Sequence, residues 1–155
     1  VVSRPGEGTV VRVSLPLVQQ ARPLAPTIQP HVAAKGQETV LLVEPNEIDR
    51  KLAVATLLRH RYQVLEAGSS VEALLLTQRH PGAVHVAVSE LMMPEIGGRD
   101  LARRLLERYP TMKALFVSGY GDEAMASHRL NPRYLLRRPY RQVGLVEKVR
   151  ELLDA

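Results

Sequence analysis

With 155 residues, 45% of them hydrophobic and 24% charged, the chain has room for one ordinary domain of roughly 100–200 residues plus an appendage, which excludes disorder throughout. The absence of cysteine excludes disulfides, thiolate metal sites and thiol redox chemistry, and the short apolar runs at 39–43 and 83–88 fall far below the ~20 residues that cross a bilayer. The 21 basic residues outnumber the 16 acidic ones, yet they are spread along the chain with one Phe and no Trp to stack on bases, so a basic nucleic-acid-binding module ranks well below other readings.

The chain opens at Val1 with no basic-then-apolar leader and reads as a piece of a longer, cytoplasmic protein. Ser3-Arg4-Pro5-Gly6-Glu7-Gly8-Thr9, followed by alternating Val11, Val13, Leu15 and Pro16, is a glycine turn leading into a strand. Residues 18–38 carry Pro23, Pro26, Pro30 and Gly36 without a sustained apolar period, the mark of an extended linker. The expected divisions are therefore 1–17, a linker over 18–38, and a domain over 39–155.

From Thr39 onward, β-rich runs alternate with helical ones: strands over 39–44, 62–67, 84–89, 112–118 and 134–138, and helices over 47–60, 71–80, 99–109, 122–129 and 142–153. The spacing of Ile48, Leu52, Ala55 and Leu58, and of Leu145, Val149 and Leu152, places each set on one helix face. Asn46 and Ser69/Ser70 stand at N-cap positions. Val- and Leu-rich strands separated by helices predict a five-stranded parallel sheet covered on both faces, a doubly wound α/β fold. Such folds bind at the carboxyl ends of their strands, which here are Glu44, Glu90, Ser118 and Arg138.

Those strand ends resemble the receiver domains of two-component signalling, over about three-quarters of the chain. Glu44-Pro45 stands where receivers carry an acidic pair. Glu90, followed by Leu91-Met92-Met93-Pro94 and Gly98, is similar to the family's Asp-x-x-Met-Pro-x-x-x-Gly run. Ser118-Gly119-Tyr120 matches the switch Ser/Thr block, and Arg138-Pro139-Tyr140 matches Lys-Pro-Phe. The resemblance implies a flavodoxin-like (βα)5 fold in which Glu90 holds the phosphoacceptor position, Ser118 is the switch hydroxyl and Arg138-Pro139 is the basic partner.

The departures carry as much information as the matches. A working receiver transfers a phosphoryl group to aspartate while carboxylate-held magnesium neutralises the developing charge. Pro45 has no ligating side chain, Glu90 is one methylene longer than aspartate, and Arg138 replaces the compact lysine with a planar fork that suits a carboxylate bidentately. Leu135 stands where an aromatic switch residue is usual, and the adjacent Tyr134 faces the other way in a strand. These changes imply no catalytic residue, no bound metal and no cofactor, magnesium being expected only if the pocket is still active. Glu90 is then a fixed charge, open to two readings: an imitation of the phosphorylated state through Arg138 and Ser118, or simple decay. The alternative is an active receiver that accepts a phosphoryl group at Glu90.

Simpler roles stand beside these. Ser118 taken alone is a loop hydroxyl capping a turn, and Arg133, Arg137 and Arg141 are a solvated face. His31, His60, His80, His85 and His128 lack metal-site spacing, and Met92 and Met93 pack in a loop. The segment 3–16 resembles the last strand of the ATP-binding domain of sensor histidine kinases, Pro-Gly-x-Gly-Thr-x-Phe-x-Ile-x-Leu-Pro, with Val11 in place of the aromatic. That order of modules implies a hybrid sensor kinase. The parent is then an enzyme, a protein-histidine kinase, while this segment is not one. The implied partners are a histidine kinase core or histidine phosphotransfer domain, or a second copy in a homodimer, met through the last helix and its neighbours. Neither nucleic acid nor membrane contact is implied.

Overall fold

The computed structural model describes residues 1–6, 8–14, 37–119 and 131–155, in two units, Val1–His31 and Val32–Ala155. The body of the linker, the helix expected over 122–129, and Leu15, Pro16, Tyr120, His31 and His128 lie outside the described residues.

In the first unit the glycine turn closes a hairpin. Strand β1 (Val2–Arg4) pairs antiparallel with β2 (Gly8–Val10), Val2 opposite Val10 and Arg4 opposite Gly8. Gly6 and Gly8 have φ of 81° and 94°, a left-handed backbone that glycine adopts without a Cβ penalty. The strand begins earlier than the alternation suggests, and 11–14 belong to no element. Pairing the segment with its own preceding residues satisfies the ladder locally, and the alternating valines stay exposed.

The second unit runs β3 (Thr39–Val43), α1 (Glu47–Arg59), β4 (Gln63–Ala67), α2 (Ser70–Arg79), β5 (Val86–Glu90), α3 (Gly98–Arg108), β6 (Lys113–Ser118), a single 3₁₀ turn (Pro132–Tyr134), β7 (Leu135–Arg137) and α4 (Gln142–Leu153). All strands of its sheet are parallel, in the order β4-β3-β5-β6-β7. This is the flavodoxin-like receiver architecture, with the strand order reversing beside β3. Alternation within each strand divides the core in two. Val40, Leu42, Val86, Val88, Leu115 and Val117 meet α1 and α4 on one face. On the other, Leu41, Val43 and Ala87 meet Ala73 of α2 and Leu101 and Leu105 of α3.

The helix starts follow the predicted caps: Asn46 Oδ1 accepts from the amides of Ile48 and Asp49, and Ser69 Oγ from that of Glu72. Ser70 is instead the first residue of α2, buried, and donates to the carbonyl of Ile96 at 2.6 Å. The apolar face of α4 is the predicted one, with Leu145, Val149 and Leu152 buried. For α1 the face differs. Ile48 is 78% exposed and Leu52 and Leu58 about half exposed, while Ala53 and Leu57 are buried. Helix α1 is apolar around much of its circumference, so periodicity establishes the helix but not its orientation. The sheet takes the face about 100° round from Leu52, where small Ala53 and Leu57 reach Tyr62 and the strands.

The other strand-end corrections are local. Tyr134 closes the 3₁₀ turn rather than opening β7, because Asn131 caps that turn through the amide of Arg133. His85 precedes β5, and its Nδ1 accepts from the amide of Thr39 at 2.9 Å.

Gly98 opens α3 where the chain returns across the end of β5. A Cβ there would lie 2.5 Å from the carbonyl oxygen of Glu90 and 3.0 Å from Ser89 Oγ. Gly144, in the first turn of α4, has nothing within 4 Å of that position. Thermal melts are therefore expected to move in opposite directions: Gly98→Ala loses roughly 1–3 kcal/mol to overpacking, and Gly144→Ala gains up to about 1 kcal/mol from helix propensity.

Candidate functional site

The carboxyl edge of the sheet gathers the predicted strand-end residues. Glu44, directly after β3, is buried. Its Oε1 accepts from the Asn46 amide at 2.9 Å, and its carbonyl oxygen accepts from Arg50 Nη1 at 2.7 Å. Glu90 ends β5 with its side chain largely covered, and its carboxylate folds back so that Oε1 accepts from the Leu91 amide at 3.1 Å. Ser118 ends β6 and is buried, and its carbonyl oxygen accepts from the Arg138 amide at 2.8 Å. The Arg138–Pro139 peptide is cis.

Arg138 reaches back across this edge. Nη1 donates to Asp49 Oδ2 at 2.6 Å, Nη2 donates to Glu44 Oε2, and Nε lies 3.4 Å from Glu90 Oε2. The last contact is an ion pair without hydrogen-bond geometry, since Nε makes no hydrogen bond. The fork is therefore divided between two carboxylates and does not clasp Glu90 bidentately. The guanidinium carbon also lies 5.8 Å from the Tyr140 ring centroid, in cation–π range. Asp49 is the partner that sequence reading misses. Its position in the first turn of α1, where a carboxylate favours the helix dipole, disguises its second role, and only the fold shows that this turn faces the loop after β7.

Leu135 is buried with Leu91, Ala102 and Phe116. Tyr134 is partly exposed, whereas Tyr140 packs half-buried against the α1/α4 core. Met93 packs with Ile96 against the α2/α3 core, but its neighbour Met92 is half exposed.

The electrostatics follow from three carboxylates sharing one guanidinium. Burial pushes the Glu90 carboxyl above the ordinary carboxylate range, Arg138 opposes this, and the charge of Glu44 adds to it. Burial alone would lower the Arg138 guanidinium, but the hydrogen bond to Asp49 and the charge of Glu44 outweigh it and hold the group above its usual value. Burial raises the Tyr140 phenol, again against Arg138.

The residues present do not fit magnesium, which takes near-octahedral oxygen ligands. Pro45 offers no side-chain donor, both Glu44 oxygens are engaged, and Glu90 Oε1 is turned to a backbone amide. Among the described residues no cluster of three or more His or acidic side chains is arranged to hold a metal. No described helix is long and apolar enough to cross a membrane.

Fold and strand-end constellation together define a receiver-type α/β domain. The response regulator receiver domain family matches residues 40–150, and the chain belongs to that family. The chain is 34% identical to the sensor kinase CckA of Brucella abortus (strain 2308), over 98% of its own length but 17% of that protein. It is 28% identical to the response regulator receiver protein CpdR of the same organism, over 75% of this chain and 97% of that one. A solved receiver domain of the hybrid histidine kinase CckA superposes with a TM-score of 0.62 at 27% identity, covering 74% of this chain and 98% of that chain. A receiver protein from Sinorhizobium medicae WSM419, with a TM-score of 0.67 at 24% identity over 76% of this chain and 95% of that one, shares the fold.

A carboxyl that keeps its proton longer in the folded state than in the unfolded one supplies stability below its unfolded value, about pH 4.3, and that stability is lost as pH rises through the folded value. Gln at 90 resembles the protonated form and does not titrate. Glu90→Gln is therefore expected to be more stable than the native chain at pH 7, with the difference shrinking as pH falls into the ordinary carboxylate range. Urea midpoints measured at several pH values check both the sign and the convergence.

Proposed function

We propose that the chain is a degenerate receiver from a hybrid sensor histidine kinase, one that takes no phosphoryl group and acts by protein contact within a phosphorelay. The observation that carries this reading is the lodging of Arg138 on Glu44 and Asp49 beside Glu90. Three carboxylates against the Arg138 guanidinium, with Arg50 held on the Glu44 carbonyl, leave the cluster net negative when all are ionised, and a phosphoryl dianion entering it meets net repulsion. Glu90 is also aimed at its own backbone, and displacement of a nucleophile by about 1 Å costs on the order of a hundredfold in rate. The match to CckA through 98% of this chain, reaching into the amino-terminal segment, supports the kinase parent and the reading of that segment as the end of an ATP-binding domain.

The surface beside the cluster suits a protein partner. A groove of about 520 Å³ runs between α1 and the loop into α4, lined by Asp49, Leu52, Gly119, Arg138, Pro139, Tyr140 and Gln142. Leu52 lines the groove, and Ile48, one turn before it on α1, is exposed beside it. Scattered exposed apolar residues need no account, but apolar residues at the edge of a groove suit a contact face. The partner proposed is the kinase core or a histidine phosphotransfer domain. A fixed charge at Glu90 signals through that face if Glu90→Gln alters affinity for the partner.

Incubation with a small phosphodonor and magnesium, followed by intact-mass measurement, tests the reading. The native chain is expected to show no phosphate adduct, even under conditions that preserve acyl phosphates. The combined change Pro45→Asp, Glu90→Asp and Arg138→Lys is expected to produce one. An adduct on the native chain overturns the proposal and supports an active acceptor at Glu90.

A further inference from the structure

We infer that the Arg138 guanidinium is the resident cation of this pocket, standing among the carboxylates in place of a divalent metal and tying its own segment to three others through them. The inference deepens the proposed function and rests on its assignment of the carboxyl edge as the receiver pocket. The guanidinium faces carboxylates from three elements: Glu44 after β3, Asp49 in the first turn of α1 and Glu90 at the end of β5. It is itself anchored by its backbone, the Arg138 amide donating to the Ser118 carbonyl at 2.8 Å. Its side chain is 26% exposed and Glu44 only 8%, so the Glu44 contact is shielded from screening water.

A divalent ion binds by exchange with solvent, and its occupancy follows its concentration. A guanidinium carried on the chain has no such dependence. Its planar fork also joins two elements directly, with one terminal nitrogen on the strand-end carboxylate of Glu44 and the other on Asp49 of the helix. The consequence is a cleft between Leu52 of α1, Tyr140 of the loop after β7 and Gln142 at the start of α4 that the protein's own side chains hold in shape, with neither metal nor phosphate required. Tyr140 contributes by offering its ring to the same guanidinium.

The test uses the chain as it stands, with millimolar magnesium chloride as the probe and sodium chloride of matched ionic strength as the control. Amide NMR spectra and thermal melts are the readouts. The native chain is expected to show no saturable magnesium shift at Asp49, Glu90 or Gly119 and the same Tm in both salts. Arg138→Gln is expected to melt several degrees lower, and magnesium, but not sodium, is expected to recover part of that loss. A saturable magnesium shift at those amides of the native chain overturns the inference, as does an Arg138→Gln variant that melts like the native chain or recovers equally in both salts. If Arg138→Gln fails to fold, the native titration decides alone. A failure here is separable from a failure of the proposed function: magnesium binding without a phosphate adduct overturns only this inference, and an adduct on a chain that binds no magnesium overturns only the other.

Discussion

A carboxylate removed from water at the end of a strand needs opposite charge or hydrogen-bond donors close by, and the parallel sheet places Glu44 and Glu90 at the ends of the neighbouring strands β3 and β5 under that demand. Glu44 finds the backbone amide of Asn46, and Glu90 those of Met92 and Leu91. These amides leave part of each carboxylate's acceptor capacity unmet. The remaining compensation comes from Arg138, whose chain position after the edge strand β7 lets a long side chain lie back over the sheet. The register of β6 with β7 matters here, because Ser118 opposite Arg137 puts the next residue beside the carboxyl edge. The guanidinium is thus a structural group as well as an electrostatic one, and the rest of the site takes its shape from where it rests.

The fold was legible because periodicity and strand composition report burial directly. Runs such as Val40-Leu41-Leu42-Val43, buried on both faces, have little alternative to a covered parallel sheet. The caps at Asn46 and Ser69 were legible for the same reason, since an amide-accepting side chain before an apolar period is a local signal. The face of α1 was not. Ile48, Leu52, Ala55 and Leu58 form a better stripe than Ala53 and Leu57, and what decides between them is the volume between helix and sheet, which is a property of the assembled layers.

The site divides along the same line. Glu44, Glu90, Ser118 and Arg138 were found because the ends of successive strands in a doubly wound sheet converge, so their proximity follows from topology. Of the carboxylates around Arg138, Glu44 and Glu90 follow in this way, whereas Asp49 and the way the fork divides do not. A planar fork fits a carboxylate, which makes a clasp on Glu90 the simplest expectation, but Glu90 is tied to Leu91 and the fork instead meets the shorter reach to Glu44 and Asp49. Charge complementarity identifies that a pair forms, whereas side-chain reach decides which.

The three departures from the receiver pattern are physically linked, which bears on how such a pocket is reached by single substitutions. With lysine at 138, a compact ammonium satisfies fewer acceptors, and Glu44 and Asp49 compete for it. With an acidic residue at 45, a further negative charge stands beside Glu44, and a guanidinium contacting three carboxylates would face a fourth. The longer side chain of Glu90, able to turn back to its own following amide, leaves Arg138 free to settle on the other two. Each change bears on the same charge balance around Arg138, so restoring one position alone is expected to leave the pocket worse compensated than restoring all three.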